Sequence, residues 1–408
     1  MKENKILLDQ KVERLTLDEI ARIGAEQMLR QALEAEIAAY LNKHSSDTKE
    51  DGKASIVRNG YHSKRQVAVG SGLLEVEVPR TRNRSGADEN FVSSLIPPYM
   101  RRSPKIEEVI PHLYLRGLSN GDIQPILDEL FGEHTRGHSA ANVTRLKGCW
   151  QSEYEKWIKQ DLSKKEYCYI WVDGIHFNVR FSDNRICVLV VIGATAEGKK
   201  ELISVTSGYR ESKESWALIL RDIKNRGMKS PKLAIGDGAL GFWAGLGSVF
   251  PTCRAQRCWV HKTANVLDKL PKQLHIKAKS MLHDIYEAET KKKAEKAFDF
   301  FVNSFESKYC KAVECLQKDR EELLTFYDFP AHHWKHIRTT NPIESPFATV
   351  RLRTDKTRGH GTETTTLMMV FKLLEQASKR WNVLAGSKLI LLVLEGKIFE
   401  DGELKAAA

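Results

Sequence analysis

The chain lacks any apolar stretch long enough to cross a membrane. The longest candidate, residues 388–398, is interrupted by Glu395, whereas a membrane-spanning helix needs roughly 20 apolar residues. Residues 1–5 also lack the apolar core of a secretory signal. We therefore expect neither a membrane span nor a secretory leader.

Cysteine is also scarce, with seven residues in a chain of 408. An odd and sparse set of cysteines argues against a disulfide-stabilised secreted fold and is typical of a reducing compartment. The expected location is therefore the cytoplasm.

Acidic residues are outnumbered by basic ones. The chain has 53 Asp and Glu against 64 Lys and Arg, which gives a net charge of +11 and a pI near 9.1. This balance indicates a polyanionic partner, and we rank DNA above a ribosomal or membrane-surface role. An apolar fraction of 41% is that of a globular protein, and this length predicts about two to four domains.

Segment 1–44 is predicted to be helical. Thr16 and Glu19 have the spacing of a capping box, and apolar residues then recur at a helical period. Such a helix is expected to pack within its own domain, with self-association as a second interpretation.

Segment 45–102 is predicted to contain little regular structure apart from a small β-hairpin. A polar linker is expected up to residue 60, the hairpin at 66–78 and a basic loop at 79–84. Two arginines of that loop, Arg80 and Arg82, are candidate DNA contacts.

Segment 103–160 is predicted to consist only of helices. Pro104 suits the first turn of one helix, and the third is predicted to begin at His138. Short helices joined by polar turns are typical of a helix-turn-helix DNA-binding region, with Arg145 and Lys147 as candidate contacts. The pattern fits an ordinary helical bundle equally well.

Segment 161–258 changes to short runs of β-branched and aromatic residues. Strands are predicted at 167–172, 186–192, 202–207 and 233–236, and helices at 214–226 and 239–250. The order β-β-β-α-β-α predicts an RNase H-like mixed sheet, in which the first and fourth strands are neighbours. Asp173 and Asp237, at the ends of these two strands, are therefore expected to lie side by side.

Segment 259–330 is helical in composition and is predicted to be an insertion beside the sheet. Segment 331–408 is expected to supply the final helices, one of which starts at Asn341 and carries Glu344.

Converging Asp173, Asp237 and Glu344 carboxylates are predicted to bind two Mg²⁺ ions about 3.5–4 Å apart, with Mn²⁺ able to substitute. Such a site would activate water for strand cleavage or a DNA 3′-hydroxyl for strand transfer. An isolated Asp-Gly after a strand is more often a turn, so the prediction depends on all three carboxylates together.

Basic residues surround Glu344 in the sequence. The candidate phosphate contacts are Lys335, Arg338, Arg351, Arg353, Lys356 and Arg358. Arg351 follows Glu344 by two helical turns and should share its face. The alternative is a solvated helix face without a ligand.

A compact motif, Cys258-Trp259-Val260-His261, is predicted to shape the site together with His176. A structural zinc site is the alternative, but it needs four ligands and no convincing second pair follows. Trp259 fits either the core or stacking on a DNA base.

In combination, these residues resemble the mutator-type transposases of bacterial insertion sequences, which are DDE transposases. The resemblance rests on Asp173 in Trp-Val-Asp-Gly-Ile-His, Asp237 in Ile-Gly-Asp-Gly, Cys258-x-x-His261, and Glu344 in Thr-Thr-Asn-Pro-Ile-Glu-Ser. It covers about residues 50–385. It implies an α/β RNase H-like catalytic domain with an α-helical insertion, preceded by a mainly helical DNA-binding region with a small β-hairpin, and the three carboxylates as the metal-binding triad.

The implied function is binding of the terminal inverted repeats of an insertion sequence, followed by metal-dependent strand cleavage and strand transfer, by a copy-out or a cut-and-paste route. The implied partners are double-stranded element ends, target DNA and a second copy in a homodimer, because two ends must be paired, and the implied place is the bacterial nucleoid. Two other functions stay open. One is a metal-dependent RNase H-like nuclease or resolvase without strand transfer, and the other is a DNA-binding regulator without catalysis.

Overall fold

A computed structural model of the protein describes residues 15–49, 52–85, 90–116, 118, 120–131, 140–177, 186–208, 211–238, 240–356 and 362–405. The chain divides into two compact units, Met1–Leu146 and Lys147–Ala408; the finer division into six segments stays a prediction. No described helix combines the length and apolar character of a membrane span. All seven cysteines lie within the described residues, and none of them forms a disulfide.

The first unit begins with helix α1 (Leu17–Lys43), and its predicted capping box is confirmed. The Thr16 hydroxyl accepts a hydrogen bond from the Glu19 amide at 3.3 Å, and the Glu19 carboxylate accepts one from the Thr16 amide at 2.7 Å. These bonds satisfy amides that the first turn leaves without helical partners. The helix buries Leu33 and Ile37.

Four strands follow, where a single hairpin was expected. They are β1 (Ile56–Tyr61), β2 (Arg65–Val69), β3 (Gly72–Val76) and β4 (Pro79–Asn83). The antiparallel β2–β3 hairpin is confirmed. The predictions of a linker and of a basic loop are wrong for the residues of β1 and β4, because these two strands pair with each other. In β4, buried Pro79 and Thr81 alternate with exposed Arg80 and Arg82, so the strand has the period of two without the apolar residues that usually reveal it.

The helices predicted for 103–160 are confirmed where the structure describes them. They are α2 (Pro104–Leu115), α3 (Asn120–Phe131) and α4 (Ala140–Trp157), while the predicted start of the third at His138 lies outside the described residues. Ile106, Ile110, Ile123 and Leu127 form one small core with Ala68 of β2.

The second unit contains a mixed sheet of five strands in the order β7-β6-β5-β8-β9. The bounds are β5 (Tyr167–Phe177), β6 (Ile186–Thr195), β7 (Lys200–Gly208), β8 (Leu233–Gly236) and β9 (Arg254–Arg257), with α5 (Lys213–Asn225) and α6 (Leu240–Val249) between strands. The predicted order β-β-β-α-β-α is confirmed, and so is the expectation that the first and fourth strands are neighbours. The structure shows that β5 and β8 pair in parallel. Strand β9 was not predicted, because its polar sequence, Arg-Ala-Gln-Arg, lacks the apolar residues that indicate a buried strand.

Strand β5 is longer than expected, so the placement of Asp173 at its end is wrong. The pairing with β6 continues past Asp173 as far as Phe177. Ile170 and Val172 pack in the core beneath α5 and α6. Because side chains alternate along a strand, Asp173 points to the other face, as Trp171 does.

Helices make up most of the remaining chain, as the composition of 259–328 predicted. They are α7 (Trp259–Leu267), α8 (His275–Tyr286), α9 (Lys291–Phe305), α10 (Cys310–Gln317), α11 (Arg320–Leu324), α12 (Ala331–Ile337), α13 (Asn341–Lys356), α14 (Glu363–Ser378) and α15 (Leu389–Leu394), followed by the short strands β10 (Phe399–Glu400) and β11 (Glu403–Leu404). Helix α13 begins at Asn341 as predicted and continues through Pro346. Trp171 of the sheet donates a hydrogen bond to the His336 carbonyl of α12 at 2.9 Å.

Candidate active site

Asp173 and Asp237 are brought together by the register of two parallel strands. Trp171 of β5 is paired with Ile235 of β8, and each aspartate stands two residues beyond its member of that pair. Asp173 is 9% exposed and accepts a hydrogen bond from the Gly174 amide at 2.8 Å. Asp237 follows directly after β8 and is half-buried.

The electrostatics of this pair disfavour two free negative charges. Burial, followed by the charge of Asp237, raises the pKa of Asp173 to about 7. The charge of Glu211 adds to the increase, while the Gly174 amide and His261 oppose it. An ionised Asp173 is therefore costly in the protein alone, and a nearby cation would remove that cost.

Glu344 lies in the first turn of α13, where Thr340 holds its carboxylate. Thr340 is fully buried, and its hydroxyl donates a hydrogen bond to Oε1 of Glu344. The same hydroxyl lies 3.2 Å from Sγ of Cys258 and 3.3 Å from Nδ1 of His261. One side chain therefore connects the Cys-x-x-His motif to the glutamate.

Cys258 and His261 belong to the same group of residues. Cys258 precedes α7, and Nδ1 of His261 lies 3.7 Å from Oε1 of Glu344. The hydrogen bond with Cys258 raises the pKa of His261 to about 9 against the effect of burial, and Glu344 and Asp237 raise it further. Burial opposes ionisation of Cys258, but hydrogen bonds from His261 and Thr340 leave its pKa lowered. His261 is therefore cationic near neutral pH.

The structure gives little support to zinc at this motif. The ligand atoms of Cys258, His261 and Glu344 lie within 4.8 Å of one another, and no fourth ligand joins them among the described residues, whereas a structural zinc site has four. Trp259 is 1% exposed and donates a hydrogen bond to the Leu323 carbonyl at 2.8 Å. This burial agrees with the core interpretation of Trp259.

Glu211 is a residue near this site that the sequence analysis missed. It stands just before α5, and its Oε1 lies 3.2 Å from Nε2 of His176. Burial and the charge of Asp237 raise its pKa. The only sequence signal was an acidic residue next to Ser212, which caps α5, and nothing in a polar turn distinguishes such a residue from a solvated one.

The basic residues around Glu344 differ in their exposure to solvent. Arg351 and Lys335 are exposed on α13 and α12, as a phosphate contact requires. Arg353 is 3% exposed, because it turns inward on the helix that exposes Arg351, and its role as a DNA contact stays a prediction.

Arg338 makes contacts within the fold, and its role as a DNA contact stays a prediction. It donates to the Tyr286 carbonyl at 2.8 Å and forms an ion pair with Glu287. Lys356 is the last residue of α13, and Arg358 lies outside the described residues.

The first unit contains a cavity of about 1550 Å³ whose lining includes several basic residues and one acidic residue, Glu75. Arg80 and Arg82 line it together with Lys64, Arg65 and Arg101. Of the other predicted contacts, Arg145 is exposed and lies 3.6 Å from Glu107, and Lys147 is half-buried.

Comparison with known proteins gives a consistent relationship. Residues 1–383 match the family described as transposase, Mutator family. The transposase for insertion sequence element IS6120 of Mycolicibacterium smegmatis is 50% identical over 299 residues, which cover 73% of this chain and 92% of that protein. The transposase for insertion sequence element IST2 of Acidithiobacillus ferrooxidans is 49% identical over 281 residues, which cover 69% and 95%. The transposase for insertion sequence element IS905 of Lactococcus lactis is 28% identical over 351 residues, which cover 86% and 87%. The chain therefore belongs to the Mutator family of transposases.

Proposed function

We propose that this protein cuts DNA at the ends of an insertion sequence and joins them to target DNA through a DDE triad of Asp173, Asp237 and Glu344. One observation carries the proposal. The β5–β8 register sets Asp173 beside Asp237. His261 interacts electrostatically with both aspartates and lies 3.7 Å from Glu344, so it connects the three carboxylates. Membership of the Mutator family supports the same chemistry.

An RNase H-like fold is our proposal for the second unit. Three antiparallel strands, β5 to β7, are extended by parallel β8 and β9, and a helix follows β7. This arrangement supports the assignment because it places the first and fourth strands next to each other.

The donor set fits magnesium. All three groups are carboxylates, the oxygen ligands that Mg²⁺ prefers. Burial and the charge of Asp237 raise the pKa of Asp173, and a bound cation would offset both effects. Bound Mg²⁺ would supply an activated nucleophile and stabilise the leaving oxygen. Mn²⁺ is expected to substitute.

The surrounding side chains orient and neutralise this set. Thr340 fixes the carboxylate of Glu344 by hydrogen bonding, and the burial of Asp173 limits the access of water. His261 places a positive charge beside Glu344 and so reduces the repulsion among the carboxylates.

The basic cavity of the first unit is our proposed surface for the double-stranded element ends. Arg82 and Arg101 line it, and neither makes an ion pair with a described acidic residue. Tyr99 is 93% exposed at the same cavity and has a φ of 67°. A strained, exposed aromatic residue in a basic groove is typical of a site that contacts a base or sugar.

This surface is tested by the salt dependence of DNA binding. Log affinity for DNA falls linearly with log salt, and each neutralised phosphate contributes about −0.9 to that slope. The double variant Arg82→Gln, Arg101→Gln should therefore make the slope less steep by about 2. Arg221→Gln, an exposed arginine of α5 in the second unit, is the control. An unchanged slope in the double variant would remove this cavity from the DNA surface.

Strand transfer separates the proposed transposase from the two alternatives. Pre-cut element ends carrying a 3′-hydroxyl should be joined to a plasmid in the presence of Mg²⁺. Cleavage without joining would indicate a nuclease or resolvase, and binding without either reaction would indicate a regulator. We also propose a homodimer, which light scattering with and without paired ends would test.

A further inference from the structure

An imidazole and a thiol lie side by side on the face of the sheet opposite to Asp173. His176 of β5 and Cys187 of β6 are directly paired across these two antiparallel strands, so their side chains are neighbours on one face. That face is covered by α5 and α6, and Cys187 belongs to the core beneath these helices. The register of the two strands therefore fixes the position of both groups.

Glu211 completes the group from the segment that precedes α5. This segment follows Gly208, the last residue of β7, which is paired with Cys187 of β6. Oε1 of Glu211 lies 3.2 Å from Nε2 of His176. A Cβ atom at position 174 would lie 2.6 Å from the same oxygen, so glycine at this position leaves the room that the carboxylate fills.

The three side chains are close enough together to share one metal ion. Their nitrogen, sulfur and oxygen ligand atoms all lie within 4.8 Å of one another. Ligands of a tetrahedral zinc ion lie roughly 3.3–3.8 Å apart, because the bonds to zinc are about 2.0–2.3 Å long, so small side-chain rotations would complete the geometry. The mixed donor set suits Zn²⁺, whereas Mg²⁺ prefers oxygen ligands alone.

The group is open to solvent on one side. Cys187 is fully buried, the Glu211 side chain is 20% exposed, and the His176 side chain is 46% exposed. A metal ion can therefore enter past His176. Three protein ligands leave the fourth position of zinc to water, as in open zinc sites, and the exposed side of this group admits that water.

The thiol is neutral in the metal-free protein. Burial, followed by the charges of Glu211 and Asp173, raises the pKa of Cys187 to about 12. Coordination by zinc deprotonates a thiol, so binding would release a proton and become tighter as the pH rises.

We propose that His176, Cys187 and Glu211 form a Zn²⁺ site, separate from the proposed triad, that connects the end of β5 with β6 and with the segment before α5. The inference does not rest on the proposed function, because none of its ligands belongs to the triad. The alternative is a hydrogen-bonded pair of His176 and Glu211 beside a buried free cysteine, without a metal ion.

The experiment titrates the metal-free, full-length protein with Co²⁺, without DNA, and follows the thiolate-to-cobalt charge-transfer absorption. Wild type should develop this absorption and lose it when Zn²⁺ is added. Cys187→Ala should not develop it, and His176→Gln should bind Co²⁺ roughly tenfold or more weakly. The matched control is His283→Gln, which removes an exposed histidine that lies 4.0 Å from Glu287 and should bind Co²⁺ like wild type.

Two further variants separate this site from its neighbours. Cys258 is the other thiol that lies close to a histidine and a carboxylate; absorption that Cys258→Ala loses and Cys187→Ala keeps would overturn the inference. Asp173→Asn should keep the absorption, and its loss there would contradict a separate site.

Wild type without the charge-transfer absorption would also overturn the inference, as would wild-type affinity for Co²⁺ in His176→Gln. Thermal unfolding of the metal-free variants checks that they fold. Should Cys187→Ala not fold, His176→Gln decides the question, because it changes a side chain that is largely outside the core.

Discussion

Replacing Asp173 with asparagine should stabilise the metal-free protein. Asparagine keeps the shape of the side chain and can still accept the hydrogen bond from the Gly174 amide, but it removes the charge. Burial and the charge of Asp237 raise the pKa of Asp173 from 3.8 to about 7. Because the folded-state pKa lies above the unfolded one, wild type loses stability as the pH rises from about 4 to about 7.

The size of the effect follows from that pKa shift. A shift of about three units at 1.36 kcal/mol each gives about 4 kcal/mol at pH 8 and roughly 1.5 to 2 kcal/mol at pH 5. The assay is guanidinium unfolding in EDTA at both pH values, with Asp284→Asn, an exposed residue of α8, as the control that should change by less than about 0.5 kcal/mol.

The result that refutes this reasoning is a variant that is no more stable than wild type at pH 8, or one whose gain is equal at both pH values. Excess Mg²⁺ should narrow the gap, because a ligand that binds only the folded wild type stabilises it.

Two further substitutions test the geometry around the carboxylates. Thr340→Val keeps the shape of the side chain but removes the hydroxyl that donates a hydrogen bond to Glu344. Strand cleavage should fall, and the free energy of unfolding should decrease by about 1–3 kcal/mol. Thr340→Ser, which keeps the hydroxyl, should retain most of the activity. Gly238→Ala places a methyl group 0.5 Å from the Arg257 guanidinium, at a residue whose φ is +92°. The variant should displace the turn that follows Asp237 and lower the free energy of unfolding by at least about 1 kcal/mol. It should slow cleavage more than it weakens DNA binding.

Local sequence patterns were sufficient for the elements that position the aspartates. Apolar strands such as β5 and β8 have strong patterns, and their order alone placed Asp173 next to Asp237. The capping box at Thr16 was also readable, because both of its partners lie within four residues.

Features that depend on tertiary packing were not readable. Strand β9 and the β1–β4 pair contain polar residues, and their pairing is non-local. Arg353 was predicted to contact DNA because a run of charged residues does not show which side chains of the helix face inward. In the structure, packing buries it. Glu211 and Thr340 acquire their roles only from neighbours that are distant in the sequence.

The most direct test of the central claim is Mg²⁺-dependent nicking of a labelled element-end duplex by wild type and by Asp173→Asn, Asp237→Asn and Glu344→Gln, with DNA binding of each measured in parallel. We predict that wild type nicks at the element boundary only with Mg²⁺ or Mn²⁺, and that all three variants bind the duplex but do not cut it. Equal cutting by any variant would contradict the assignment of that residue, and wild type that binds without cutting would contradict the catalytic role of the triad.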